Sequence, residues 1–294
     1  MTKCNITELK ARGVIKVSGA EAKNFLQGIV TNDVNKALDG RAIHAGMLTP
    51  QGKILFDFFL LDRGGHFLLE CARDTIADLI KRLTFYKLRA AVDFEDLSGT
   101  HKVWAAWNGA PDTQADVILY ADPRLEILGL RIIAPASLDM AEVSDGGCDM
   151  ASEEDYHRLR IALGVPEADM DYTLGDTFPH EADYDLLAGV DFHKGCYVGQ
   201  EVVSRMQHRG TARKRIVPAR GKATLTQGAK ITAGDMAIGM LGSVAGDMGL
   251  AMVRLDRAQK AADKGHPLMA GDVEISLTQP GWANFNLPAQ GNEK

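Results

Sequence analysis

DFHKGCYVGQEVVSRMQHRG, Asp191 to Gly210, is the stretch on which the reading of this chain turns. Cys196 is bracketed by Gly195 and Gly199 and surrounded by His193, Lys194, Arg205, His208 and Arg209. Val202, Val203 and Met206 predict a helix that Gly199-Gln200-Glu201 opens, which sets Cys196 just before a helix N-terminus, where the positive end of the dipole favours thiolate. In an extended segment Lys194, two residues earlier, shares a face with Cys196 and adds to that effect. The residues alone leave two readings open, a reactive thiol or a cysteine acting as a small buried hydrophobe.

On the N-terminal side, Gly13 to Val17 reads as a strand, and Ser18-Gly19-Ala20-Glu21 supplies an S-x-x-E capping box for a helix carrying Ala22, Phe25, Leu26 and Ile29 on one face. Thr31-Asn32-Asp33 ends that helix with turn-favouring residues. Ala45 to Leu48 and Lys53 to Leu61 read as a hairpin around Thr49-Pro50-Gln51-Gly52. A strand at His66 to Glu70, a helix over Asp74 to Thr84 and strands at Val92 to Asp96, Lys102 to Trp107, Val117 to Tyr120 and Leu125 to Ile133 follow. Glu153 to Leu163 is a helix with Ser152 as N-cap and Gly164-Val165-Pro166 as its stop. Glu167 to Gly189 is a long irregular stretch, of the kind that is functional or packed across another module.

Beyond Thr211 the chain turns to short apolar runs separated by glycine, at Lys214 to Pro218, Ile231 to Ile238, Leu241 to Val244, Leu250 to Leu255 and Val273 to Leu277, which predicts a small barrel or sandwich. The tail after Gln279 reads as trailing coil. The boundary falls near Arg213, giving domains over 1–212 and 213–294.

Composition narrows the function. The 294 residues are 46% hydrophobic and 24% charged with a net charge of -6, the profile of a globular chain of two or three modules and not of a nucleic-acid coat. No apolar run reaches the ~18–20 residues of a membrane helix, and the start MTKCNITELKARG has no apolar h-region, so a cytoplasmic protein is expected. Cys4, Cys71, Cys148 and Cys196 are far apart, without a CxxC or a Cys/His cluster at metal-ligand spacing, and are expected as reduced thiols with no bound metal. Gly46 to Gly52 encloses five residues and Ile54 follows Lys53, so there is no Walker A loop, and G-x-S-x-G and HExxH are absent.

KGCYVGQE resembles the diagnostic motif of the YgfZ branch of the folate-binding aminomethyltransferase-like, or glycine cleavage T-protein-like, superfamily. The segments GVIKVSGAEAKNFLQGIVTNDV, LTPQGKILFDFFLL, FYKLRAAVDFEDLS, FPHEADYDLLAGVDFHKGCYVGQE and GSVAGDMGLAMVRLD are similar to the family's segments in the same order, over most of the chain. The resemblance implies an α+β fold, with mixed α/β folate-binding modules around a central channel plus a C-terminal small β-barrel. It implies tetrahydrofolate as ligand and a role in assembling or repairing iron-sulfur clusters, with iron-sulfur assembly proteins and client [4Fe-4S] enzymes, a tRNA methylthiolation enzyme among them, as partners.

Carried over by position, Cys196 is the residue most tied to activity, and Lys194, Tyr197, Gly199 and Gln200 complete its motif. Glu181 of PHEADYDL resembles the acid that contacts the pterin, a carboxylate suited to accept two N–H donors of an aminopyrimidine. Asp57 matches one member of a tandem acidic pair whose other position is Phe56 here; a folate contact and the polar face of a hairpin strand are both open. Tyr86 and Arg89 of FYKLR either line the cavity or, for Tyr86, continue a core pattern. Arg205, Arg209, Arg213, Lys214 and Arg215 form a basic cluster for the glutamate tail of folate, or solvated strand ends.

Three functions are therefore weighed. The first is a folate-binding accessory factor in which Cys196 acts toward a cluster, persulfide or partner thiol; one cysteine cannot hold a four-thiolate cluster, so that contact is transient or shared. The second is an aminomethyltransferase or folate demethylase, against which Phe56 counts. The third, an RNA-binding module, has the basic cluster but no aromatic stacking motif, so direct nucleic-acid binding is not expected.

Overall fold

The computed structural model describes residues 3–38, 40–112, 116–139, 147–210 and 212–287. They pack as two compact units, one from Met1–Tyr156 with Ala188–Gln200 and the other from His157–Leu187 with Glu201–Lys294.

The first unit holds two five-stranded sheets. One contains β1 (Cys4–Glu8), β7 (His101–Trp107), β8 (Ile118–Ala121), β9 (Leu130–Pro135) and β10 (Cys148–Met150) in the order β10-β1-β7-β9-β8. The other contains β2 (Arg12–Ser18), β3 (Ile43–Leu48), β4 (Ile54–Asp62), β5 (His66–Ala72) and β6 (Asp93–Asp96) in the order β3-β4-β5-β2-β6. Helices α1 (Ala22–Ile29) and α2 (Ile76–Lys87) pack on the second sheet, where Leu26, Ile29, Leu79 and Leu83 join Phe56, Phe58 and Leu60 of β4 in one apolar cluster. Each buried leucine or isoleucine there contributes about 1.5–3 kcal/mol. The other face of β4 carries Asp57 and Phe59. Both faces are covered, so Phe58 and Phe59 are buried together and a simple period of two is lost.

That second face is a buried charged layer. Glu70, fully buried, accepts from Arg12 Nε at 2.9 Å, from Arg131 Nη1 at 3.1 Å and from the Tyr120 hydroxyl. Arg131 and Arg124 also pair with Asp122, at 3.2 and 2.8 Å, and Arg131 Nη2 donates to the Tyr156 hydroxyl at 2.7 Å. Burial opposes ionisation of Asp122, but the two guanidiniums outweigh it and hold its carboxyl well below the usual range. Arg12, Arg124 and Arg131 lie 5.6, 5.0 and 5.1 Å from the centre of the Phe59 ring, so cation–π attraction adds to the ion pairs.

In the second unit β11 (Lys214–Gly221), β12 (Lys230–Ala233), β13 (Met236–Ala245), β14 (Met248–Arg254), β15 (Leu268–Ala270) and β16 (Val273–Leu277) close a barrel in the order β11-β14-β13-β12-β15-β16. The irregular stretch after Glu167 is tied to it by Asp171. That carboxylate accepts from the amides of Glu167 and Ser243 at 2.8 and 2.7 Å and from Arg160 at 2.8 Å. Gly242 makes the approach possible, since a Cβ there would lie 2.5 Å from Asp171 Oδ1.

The mixed sheets and closed barrel agree with the fold class expected from the sequence, and several local readings need correction. Ser18 is consumed in the β2 ladder opposite His66 and Asp93, so the capping box does not form; the Glu21 carboxylate instead accepts from the Ala91 amide at 2.7 Å. Leu125 to Ile133 divides into a 3-10 turn and β9 at Gly129, while Ile231 to Ile238 divides into a hairpin. The tail is docked as far as Leu287: Trp282 donates to the Leu163 carbonyl at 2.8 Å, and Phe285 and Leu287 pack on the barrel core. Residues 288–294 of that expected coil lie outside the described residues.

The four thiols are also revised. Cys4 and Cys148 form a disulfide with Cα atoms 4.3 Å apart, and Cys71 and Cys196 are free. Separation of 144 positions hid the pair, because only the parallel pairing of β10 with β1 makes them neighbours. No described helix is long and apolar enough to cross a membrane.

Candidate functional site

The loop before α4 (Gln200–Arg209) is anchored from beneath and open at Cys196. Its supports come from the Thr31-Asn32-Asp33 segment. Thr31 Oγ1 donates to the Gly189 carbonyl at 2.6 Å, Asn32 Nδ2 donates to the Ala188 and His44 carbonyls at 2.7 and 2.8 Å, and the Asp191 amide donates to the Thr31 carbonyl at 3.0 Å. Sequence reasoning took these three as turn formers, which Asp33 is, its carboxylate accepting from the Asn35 amide at 3.0 Å, and missed the anchoring role of Thr31 and Asn32. Burial of Thr31 and Asn32 gives that role away only once the fold is known.

Lys194 points inward. Its Nζ donates to the carbonyls of Gln27, Val30 and Asn32 at 2.8, 2.6 and 2.9 Å, so all three ammonium donors are used. Gln27 and Val30 lie at the C-terminal end of α1, where carbonyls lack intrahelical partners and the dipole favours a cation. Burial pushes the Lys194 pKa down to about 8, against the carboxylates of Asp33 and Asp191, which favour the charged form. The expected shared face with Cys196 is not formed, since Lys194 is 8% exposed and Cys196 lies at the surface. The reason is local: the orphan carbonyls of α1 compete for the ammonium.

Tyr197 is buried with its ring 5.1 Å from Lys194 Nζ, and burial, reinforced by Asp191, raises its hydroxyl pKa. The Tyr197 amide donates to Gln200 Oε1 at 3.2 Å, which closes the turn into α4. Gly199 has φ +83°, and a Cβ there would lie 2.6 Å from the Thr49 carbonyl oxygen of the β3–β4 turn. The loop therefore rests on that turn through a position that only glycine fits.

Cys196 is the exposed free thiol, four residues ahead of α4. Cys71 is buried, and burial pushes its thiol pKa up to about 12. Among the described residues no group of three or more His, Cys, Asp or Glu could hold a metal ion.

The remaining sequence candidates are spread over both units. Asp57 lies 3.0 Å from His44 Nε2 and 3.9 Å from Arg12, at the margin of the charged layer, while Phe56 faces the apolar core. Tyr86 is half-buried against the core with its ring edge-on to Phe85. Glu181, in the second unit, accepts from the Phe178 amide at 3.2 Å and lies 3.4 Å from Lys214 Nζ. Arg209 is exposed at the end of α4. The expected basic cluster loses Arg215, which is buried and donates to Asp183, Asp185 and the His180 carbonyl, and Arg205 pairs with Glu201.

Comparison with known proteins gives the site its context. Residues 213–285 match the family described as CAF17, C-terminal beta-barrel domain. The glycine cleavage system aminomethyltransferase T from Bartonella henselae superposes with a TM-score of 0.75 over 96% of this chain and 87% of that chain, at 16% identity, a likeness of fold. Human iron-sulfur cluster assembly factor IBA57, mitochondrial, is 32% identical over 83% of this chain and 76% of its own, and the mouse protein is 31% identical over 84% and 76%. The IBA57 homolog of Neurospora crassa is 34% identical over 74% of this chain and 53% of its own, so the chain spans about half the length of such fungal relatives.

Two expectations are adjusted. The matched names are IBA57 where the motif alone pointed to the YgfZ branch. These relatives are named mitochondrial, which overturns the cytoplasmic placement; lack of an apolar h-region argues only against a secretory signal, whereas mitochondrial transit peptides are amphipathic and arginine-rich. With a relative matched over three quarters of its length at 32% identity, the chain belongs to the IBA57 family of iron-sulfur cluster assembly factors.

Proposed function

We propose that this chain serves iron-sulfur cluster assembly by presenting Cys196 as a single thiolate ligand to a cluster held mainly by a partner protein. The observation that carries the reading is the contrast within the loop: Lys194 and Tyr197 are buried, Gly199 is pinned on the β3–β4 turn, and Cys196 alone of the two free thiols is exposed. A rigid loop with one open thiol suits transient ligation, because a lone cysteine completes a coordination shell without retaining the cluster. Client [4Fe-4S] enzymes are the expected beneficiaries.

Tetrahydrofolate is the proposed small ligand. Glu181 fits its aminopyrimidine edge in chemistry: its two partners among the described residues leave acceptor capacity on a carboxylate with about four lone-pair sites. When bound, the folate would supply a one-carbon carrier or a ligand-sensing function. Asp57, Tyr86, Gln200 and Arg209 are the further proposed contacts.

The test is Cys196→Ser expressed in cells lacking the native protein. Loss of [4Fe-4S] enzyme activity with an unchanged circular dichroism spectrum and melting temperature supports the reading. Full restoration of those enzymes would assign the loop a purely structural role.

A further inference from the structure

The Cys4–Cys148 bond ties a short edge strand into its sheet. Cys4 begins β1, Cys148 begins β10, and the two are register partners. β10 is three residues long and lies at the edge of its sheet, with β1 as its only strand neighbour among the described residues. Among the described residues its other hydrogen bond and ion pair are the Ala151 amide to the Ile6 carbonyl at 2.8 Å and the exposed Lys3 with Asp149 at 2.5 Å. Opening free energy follows the ladder bonds and apolar area that must be broken, so β10 can lift while β1 stays paired with β7 from Asn5 to Glu8.

The closed pair is shielded: Cys4 and Cys148 are buried in an apolar cluster with Ile6, Trp104 and Ile132. What the strand leads to gives the bond its reach. Two residues past β10, Ser152 Oγ caps α3 (Glu153–Leu163) by accepting from the Asp155 amide at 3.1 Å, and the helix carries Tyr156 into the charged layer against Arg131. The same chain keeps Cys71 and Cys196 as free thiols, so disulfide and thiol chemistry coexist in it.

We propose that Cys4–Cys148 is a reversible thiol–disulfide site whose state decides whether β10 is fastened to β1. The co-reactant is a small monothiol of the glutathione class. Its thiolate attacks one sulfur of the pair, a mixed disulfide forms as the protein S–S bond breaks, and the departing sulfur takes up a proton. A second monothiol attacks the mixed disulfide, releasing the second protein thiol and the oxidised monothiol dimer, so two electrons and two protons enter the protein. Excess oxidised dimer reverses both steps. This site is independent of the reading at Cys196.

Full-length protein equilibrated in glutathione buffers, from fully oxidised to fully reduced, would be acid-quenched, alkylated and mapped by peptide mass spectrometry. Hydrogen exchange of residues 148–151 would be followed in the same buffers. Cys4 and Cys148 should gain label together along a two-electron curve in the folded protein, and the Ala151 amide should exchange at least about tenfold faster in the reduced form while β7 stays protected. The double variant Cys4→Ser, Cys148→Ser should show the fast exchange in every buffer. The proposal is overturned if the pair stays dithiol in excess oxidised glutathione, if it is reduced only after unfolding, or if it opens without faster exchange at 148–151.

Discussion

Lys194 donates to the carbonyl of Val30 across 2.6 Å, joining residues 164 positions apart. The bond makes the motif lysine the cap of a helix that was built early in the chain, and it separates the roles of Lys194 and Cys196.

Lys194→Met should therefore destabilise the protein by about 3 kcal/mol, since three carbonyls lose a charged donor and stay buried. Chemical denaturation measures this. Alkylation of Cys196 by limiting iodoacetamide should not slow in the folded variant; a severalfold slower reaction would restore the ammonium as an activator of the thiol.

At Gly199 the φ of +83° and the Thr49 carbonyl both exclude a side chain. Gly199→Ala should cost about 2 kcal/mol and, in the surviving folded fraction, raise hydrogen exchange across 194–200. A melting temperature equal to that of the parent protein would show that the loop does not depend on the β3–β4 turn.

Asp191 is held below its ordinary pKa: burial alone would raise it, but Lys36 Nζ at 2.6 Å and the His193 amide at 2.8 Å outweigh burial. Because the folded value lies below the unfolded one of about 3.9, the carboxylate stabilises the fold above that pH and ceases to do so as pH falls through the folded value. Asp191→Asn should lower stability at pH 7 by about 1 kcal/mol and flatten the acid limb of the stability curve. An unaltered acid limb would remove Asp191 as its source.

Tetrahydrofolate at a hundredfold its dissociation constant should stabilise the protein by about 2.7 kcal/mol, seen as a raised melting temperature. Glu181→Ala should weaken that binding by roughly 1.5–3 kcal/mol. No thermal shift at millimolar ligand would dismiss the folate proposal.

Where the sequence was legible, local patterning and tertiary placement agreed. The 3.6-residue spacing of Ala22, Leu26 and Ile29 shows α1, and Ser152 as N-cap shows the start of α3, because in both cases neighbours in sequence make the contacts. The site was less legible for the same reason. Lys194 looked like the neighbour of Cys196, but its partners are carbonyls of residues 27–32, and orphan carbonyls at a helix end carry no side-chain signal. Arg12, Glu70, Arg124 and Arg131 went unread in the sequence, because Arg12 of β2 and Glu70 of β5 meet Arg131 of β9 only through tertiary pairing. Cys148 sat outside every strand read from the sequence, since a three-residue edge strand has too few positions to show a period.

The interleaving of the two compact units bears on how the protein is made. The first unit needs Ala188–Gln200 as well as Met1–Tyr156, so a ribosome must emit the whole of the second unit's first segment, His157–Leu187, before the first can be finished. During synthesis, with domains folding from the N-terminus as they emerge, α1 waits with its last carbonyls unmet until Lys194 arrives. The cysteine loop is thus both the business end of the proposed site and the last piece of its unit, and a nascent chain arrested before it lacks both the Lys194 cap of α1 and the Cys196 thiol.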